Sequence, residues 1–113
     1  MITIYHNNRC SKSRGALELL QEAGKEVEVK SYLTQPPTVQ ELQEVLAKLG
    51  LGPEDIIRKT ESLYKEQYAG KHLTQQEWLQ VLVENPILIE RPIVVNGDKA
   101  VIARPPENVF SIL

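Results

Sequence analysis

The chain has 113 residues, 42% hydrophobic and 25% charged, which sets aside a disordered or fibrous polymer and leaves one ordinary globular domain. Thirteen basic against fifteen acidic side chains give a net charge of −2, no general reason to bind nucleic acid or an anionic membrane. No apolar run approaches a bilayer span and no charged-then-apolar leader opens the sequence, so a soluble, cytoplasmic protein is expected.

Ile2-Thr3-Ile4-Tyr5 reads as a short β-rich strand ending at the polar His6-Asn7-Asn8 loop. A helix over about 11–23 follows, with Ala16, Leu19, Leu20 and Ala23 on one apolar stripe and Gly24 as its C-terminal cap. Residues 26–33 alternate in period two and read as a second strand. The opening is therefore a β-α-β unit with parallel strands and a right-handed crossover. Gln35-Pro36-Pro37 breaks the pattern. Thr38 and Glu41 then make a capping box for a helix that turns Leu42, Val45, Leu46 and Leu49 inward. Pro53-Glu54-Asp55 suits the first turn of a short helix ending near Arg58-Lys59, and residues 61–70 read as short helix and loop. A second capping box, Thr74 with Glu77, opens a helix to about residue 84 carrying Trp78, Leu79, Leu82 and Val83 inward; Asn85-Pro86 stops it. Residues of about 37–85 thus form a helical insertion without strand candidates. Ile93-Val94-Val95 and Ala100-Val101-Ile102 flank Asn96-Gly97-Asp98-Lys99, a hairpin signal read as a four-residue turn. A last short helix follows Pro105, with Val109, Ile112 and Leu113 on its packed face. The order β-α-β, helices, β-β-α is that of an α/β fold.

Chemistry concentrates where the first strand hands over to the first helix. Cys10 stands there, at a helix N-terminus whose free amides and positive dipole end attract anions, with Arg9, Lys12 and Arg14 around it. That setting favours thiolate, the form that attacks electrophiles. Cys10 is also the only cysteine, so an internal disulfide is excluded, and the second sulfur of any redox step must come from another molecule. His6 and His72 alone support a metal site poorly. His6, just upstream, could orient the sulfur or simply close the strand end.

The remaining arginines, Arg58, Arg91 and Arg104, lie at element ends. If Val95 pairs with Ala100, Arg91 falls opposite Arg104 at the open end of the hairpin. Like charges so placed repel unless something negative lies between them. Each precedes a proline, which extends its backbone, and the pair reads as a fork for an oxyanion. The bland reading is separate salt bridges to Glu90 and Glu107. Arg58 by itself carries no specific signal.

His6-Asn7-Asn8-Arg9-Cys10-Ser11-Lys12-Ser13-Arg14, Tyr32-Leu33 with Pro36-Pro37, Ile57-Arg58-Lys59, Asn85-Pro86-Ile87-Leu88, Glu90-Arg91-Pro92-Ile93-Val94-Val95 and Ala103-Arg104-Pro105 together resemble the glutaredoxin-coupled arsenate reductases, in a C-S-K-S branch. The resemblance spans essentially the whole chain. It implies a thioredoxin-like fold with a mixed four-stranded sheet, and a cis peptide before Pro92. It implies Cys10 as the nucleophile, Arg58, Arg91 and Arg104 as oxyanion ligands, and His6, Ser13, Arg14 and Pro92 in support. No tightly bound cofactor is implied; glutathione is a co-substrate, glutaredoxin a protein partner and arsenate the substrate. Two alternatives stay open: a monothiol glutathione-linked oxidoreductase, suited by C-x-x-S, and a non-catalytic redox-sensing or partner-binding protein. Relatives that sense redox through C-x-x-C are disfavoured, because Ser13 stands in place of the second cysteine.

Overall fold

The computed structural model describes residues 2–113. It divides into two compact units, one formed by Met1–Gln35 with Arg91–Leu113 and the other by Pro36–Glu90.

The first unit holds β1 (Ile2–His6), α1 (Ser11–Glu22), β2 (Val27–Ser31), β3 (Ile93–Asn96), β4 (Lys99–Ile102) and a C-terminal 3-10 segment, Pro106–Ile112. The strands form one mixed four-stranded sheet in the order β2-β1-β3-β4. β1 runs parallel to β2 and antiparallel to β3, and β3 pairs antiparallel with β4. Along β1, Ile2, Ile4 and His6 are buried while Thr3 and Tyr5 are half-buried, the period of two that points alternate side chains to opposite faces. Ile4 lies opposite Val94, and this face packs with Ala16 and Leu20 of α1 and Val109 and Ile112 of the 3-10 segment. β3 has Ile93, Val94 and Val95 all buried, so both its faces are covered and its sequence reads as a continuous apolar run. Leu20 is fully enclosed in this core. Leu20→Ala should cost about 2–5 kcal/mol, read as a lower denaturant midpoint with an unchanged slope.

Several local expectations are corrected. The buried stripe of α1 is Ser13, Ala16 and Leu20; Leu19 is half-buried and Ala23 exposed. Counting only apolar residues displaced the stripe by a turn, because a serine whose hydroxyl is hydrogen-bonded can occupy a core position. The helix ends as expected at Gly24, whose φ of +74° lets the Gly24 and Lys25 amides return to the carbonyls of Gln21 and Leu20. β2 stops at Ser31 instead of running to residue 33. The Ser31 carbonyl accepts from the Thr34 and Gln35 amides and from the Thr34 hydroxyl, which folds the chain into a turn. In the hairpin Asn96 pairs with Lys99, so the turn itself is only Gly97-Asp98, with Gly97 at φ +63°. The expected register survives, with Val95 opposite Ala100. The last helix is 3-10 rather than α, and Leu113 is exposed.

The second unit contains α2 (Val39–Leu49), a 3-10 turn (Pro53–Ile56), α3 (Ser62–Gln67), α4 (Gln75–Glu84) and a 3-10 turn (Pro86–Leu88). Both capping boxes are formed, Thr38 with Glu41 and Thr74 with Glu77, each side chain bonding the other residue's amide. α4 packs on α2 and on the two 3-10 turns, with Leu42, Val45, Leu46, Ile56, Trp78, Leu79, Leu82 and Leu88 buried. Leu49 and Val83 are only half-buried. The helix expected to reach Arg58-Lys59 ends at Ile56. Asp55 caps its start by accepting the Gly52 amide at 2.8 Å, and at its end Ile57 turns extended and bridges Ile89. Among the described residues no helix is long and apolar enough to cross a membrane.

Candidate active site

β1 delivers the chain into a tight turn over residues 7–10, where the Cys10 amide donates to the Asn7 carbonyl at 3.0 Å. Asn7 Oδ1 accepts the Arg9 amide at 3.0 Å, bracing the turn from inside. Cys10 is the N-cap of α1: its backbone is extended (φ −99°, ψ 122°) and its carbonyl accepts the Arg14 amide at 3.0 Å. Its side chain makes no capping hydrogen bond and is half-buried. The amides of Ser11, Lys12 and Ser13 occupy the first turn, where a helix offers no internal acceptor. No acidic residue stands in that turn, and Arg9, Lys12 and Arg14 are exposed around it.

Below the cysteine lies a buried polar pair. His6 Nδ1 is 2.6 Å from Ser13 Oγ, and that oxygen also accepts the Asn7 amide at 3.0 Å. Ser13 is fully buried and His6 nearly so. The pair was readable in outline: Ser13, Ala16 and Leu20 share a helix face at spacings of three and four, and His6 shares the β1 face of Ile2 and Ile4. Facing these two patterns together would have predicted the contact. Burial first, and the positive charge of Arg14 second, hold the His6 imidazole below its ordinary value of about 6.5. His6 is therefore neutral at pH 7. As pH falls below about 6.5 the unfolded chain takes up this proton before the folded one does, so stability present above that pH is lost on acidification. His6→Asn should remove this part of the pH dependence of the unfolding midpoint as pH falls through about 6.5. Ser13→Ala should cost about 2 kcal/mol, since it strips the Asn7 amide and the imidazole of a shared partner.

The arginines occupy different settings. The β3–β4 ladder extends through the Ala103 amide, which donates to the Pro92 carbonyl at 2.9 Å, and the next residues outward are Arg91 and Arg104. Both Arg91-Pro92 and Arg104-Pro105 are cis peptides; the second was not anticipated. Because Tyr5 pairs with Ile93, the chain enters β3 at the same end of the sheet where β1 leaves toward Cys10. Arg91 is half-buried, with its Nε and Nη1 buried and lacking any hydrogen-bond partner among the described residues. Arg104 is exposed. Neither forms the salt bridge to Glu90 or Glu107 that was the bland expectation, as far as the described residues go. Arg58 belongs to the helical unit, where its Nη1 bonds Glu61 Oε2 at 3.0 Å. No cluster of histidine, cysteine and carboxylate side chains among the described residues could hold a metal ion.

Residues 5–112 match the model of the ArsC family. The chain belongs to the ArsC family. Among curated relatives it is 46% identical to the Escherichia coli protein YfgD, itself uncharacterized, over 99% of this chain and 96% of that one. It is 44% identical to a protein named arsenate reductase from Haemophilus influenzae, over 99% of this chain and 98% of the other. The solved structure of an arsenate reductase from Vibrio cholerae superposes with a TM-score of 0.95 at 43% identity, covering 99% and 97% of the two chains. The mixed sheet with its flanking helices is accordingly the thioredoxin-like α/β fold of ArsC proteins.

Proposed function

We propose that this chain is a cytoplasmic arsenate reductase whose Cys10 thiolate attacks arsenic(V) and whose reduction is completed by external thiols, glutathione and then glutaredoxin. The observation that carries this reading is the Arg91 guanidinium, with two buried nitrogens lacking an acceptor among the described residues, at the end of the sheet that carries Cys10. Buried donors are nearly always paired, and a tetrahedral oxyanion offers the planar fork two matching acceptors. Arg104, next to Arg91 by register, adds a second guanidinium, and the free amides at the start of α1 add a dipole of the same sign. Arg58 enters the reading from the family resemblance alone, and His6, Ser13, Arg14 and Pro92 shape the turn and strand end that carry these groups. The names of the relatives support arsenate as the anion.

The chemistry balances only with thiols from outside the chain. Cys10 sulfur bonds to arsenic and one arsenate oxygen departs as water. Sulfur–sulfur bond formation then returns an electron pair to arsenic, taking it from the (V) to the (III) state. Two thiols in all give up two electrons and two protons, become one disulfide, and arsenite leaves. Purified protein supplied with glutathione and glutaredoxin should therefore reduce arsenate, and lack of turnover under those conditions would overturn the assignment.

A second reading, a monothiol enzyme acting on glutathione mixed disulfides, is favoured by Ser13, which fills the place of a resolving cysteine and is already committed to His6. Sulfate or arsenate protecting Cys10 from alkylation supports the first reading. Rapid glutathionylation of Cys10 without such protection supports the second.

A further inference from the structure

On the β2 side of the Cys10 turn lies a pocket of about 370 Å³, formed within the sheet unit. Asn7, Asn8 and Arg9 line it from the turn after β1, and Ser31, Leu33 and Thr34 from the turn after β2. It thus sits beyond the carboxyl ends of two adjacent parallel strands, the usual ligand position in α/β sheets. Its lining includes no carboxylate, and Arg9, exposed and without an ion pair among the described residues, gives it a positive charge. The volume is that of a small-molecule site, several times larger than one oxyanion needs and far too small for a protein segment of any length. Leu33, 38% exposed, supplies an apolar surface beside otherwise polar walls. The pocket wall and the nucleophile belong to one turn: Arg9 immediately precedes Cys10, and Asn7 holds the Cys10 amide.

We propose that this pocket docks the small thiol that the chain, with its single cysteine, must borrow: a peptide-sized thiol carrying a carboxylate that pairs with Arg9. This rests on Cys10 being the nucleophile of the reaction above. Ser31, Thr34 and Asn8 offer hydroxyl and amide partners to the ligand's peptide groups, and Leu33 covers its methylenes. The docked thiol attacks the Cys10 sulfur of the Cys10–arsenic adduct: the sulfur–sulfur bond forms as the sulfur–arsenic bond breaks, the bonding pair stays on arsenic, and the thiol's proton goes to an oxygen of the departing arsenite. Arsenate is held by different groups, so the two ligands can be bound together.

The test uses S-methylglutathione, which has the peptide but no reactive thiol, titrated into full-length Cys10→Ser protein and followed by amide NMR. Saturable shifts should centre on Arg9, Ser31, Leu33 and Thr34. Arg9→Ala, at an exposed position, should weaken binding about tenfold by loss of a charge-assisted hydrogen bond. Thr34→Trp, which fills the pocket, should weaken it by about the same factor or more, and in the active protein should raise KM for glutathione about tenfold with KM for arsenate within about twofold. Saturable shifts elsewhere, or unchanged affinity in both variants, would overturn the pocket, as would Thr34→Trp protein whose KM for glutathione is unchanged. If the titration behaves as stated but arsenate is never turned over, the pocket stands and the arsenate assignment alone falls.

Discussion

Cys10→Ser should abolish arsenate turnover, by at least about a thousandfold, without weakening the fold. A serine hydroxyl is not ionised near neutral pH and forms no sulfur–arsenic bond. No other cysteine exists to take over. The structural expectation has the opposite sign. Cys10 is an N-cap whose extended backbone suits a capping residue but whose side chain makes no capping hydrogen bond, whereas serine is among the preferred N-caps. Its hydroxyl can accept an amide from the first turn of α1, so the unfolding midpoint should hold or rise by about 0.5–1 kcal/mol. A coupled arsenate assay alongside thermal melts checks both. Substantial turnover by the serine variant would remove Cys10 as the nucleophile. Inactivity together with a marked loss of stability would instead place its role in packing.

The second large effect concerns Arg91. Arg91→Ala should weaken arsenate or sulfate binding by roughly two orders of magnitude, the scale of about 3 kcal/mol for truncating one partner of a buried charge pair. Stability should not fall with it. Buried nitrogens without acceptors cost about 1–3 kcal/mol in the free protein, and alanine removes that penalty together with some packing of the aliphatic stem. Loss of anion affinity with an equal or higher unfolding midpoint is thus the signature of a side chain kept for a ligand. Arg91→Lys is a useful companion: it keeps a positive charge but loses the planar fork, so it should recover only part of the affinity. Equal anion affinity in wild type and Arg91→Ala, measured by calorimetry or by protection of Cys10 from alkylation, would exclude Arg91 from the site. A large drop in stability would mean that the guanidinium supports the fold.

The elements were legible where one local pattern decided them. The alternation of β1, the capping boxes of Thr38 and Thr74, the cap at Gly24 and the hairpin register through Val95 and Ala100 depend on residues a few positions apart. The placement of Cys10 at a strand-to-helix junction was equally local, and so were the cations around it. Boundaries failed where a contact distant in sequence, or a turn closed by a hydroxyl, took over from periodicity. Ile57 leaves its expected helix to bridge Ile89, and β2 is cut short at Ser31 by the Thr34 turn.

By itself the sequence determined the α/β order, the single cysteine at a helix start, and that any second sulfur in a disulfide would come from outside the chain. Those follow from composition and short-range spacing, which no folding event can alter. Only the tertiary structure decided which polar groups lose water. It sank Ser13 beneath the turn against His6, left two nitrogens of Arg91 enclosed and without a partner among the described residues while Arg104 stayed in solvent, and opened a pocket beside Arg9. Desolvation depends on what packs over a group, and the covering residues come from segments far apart in the chain.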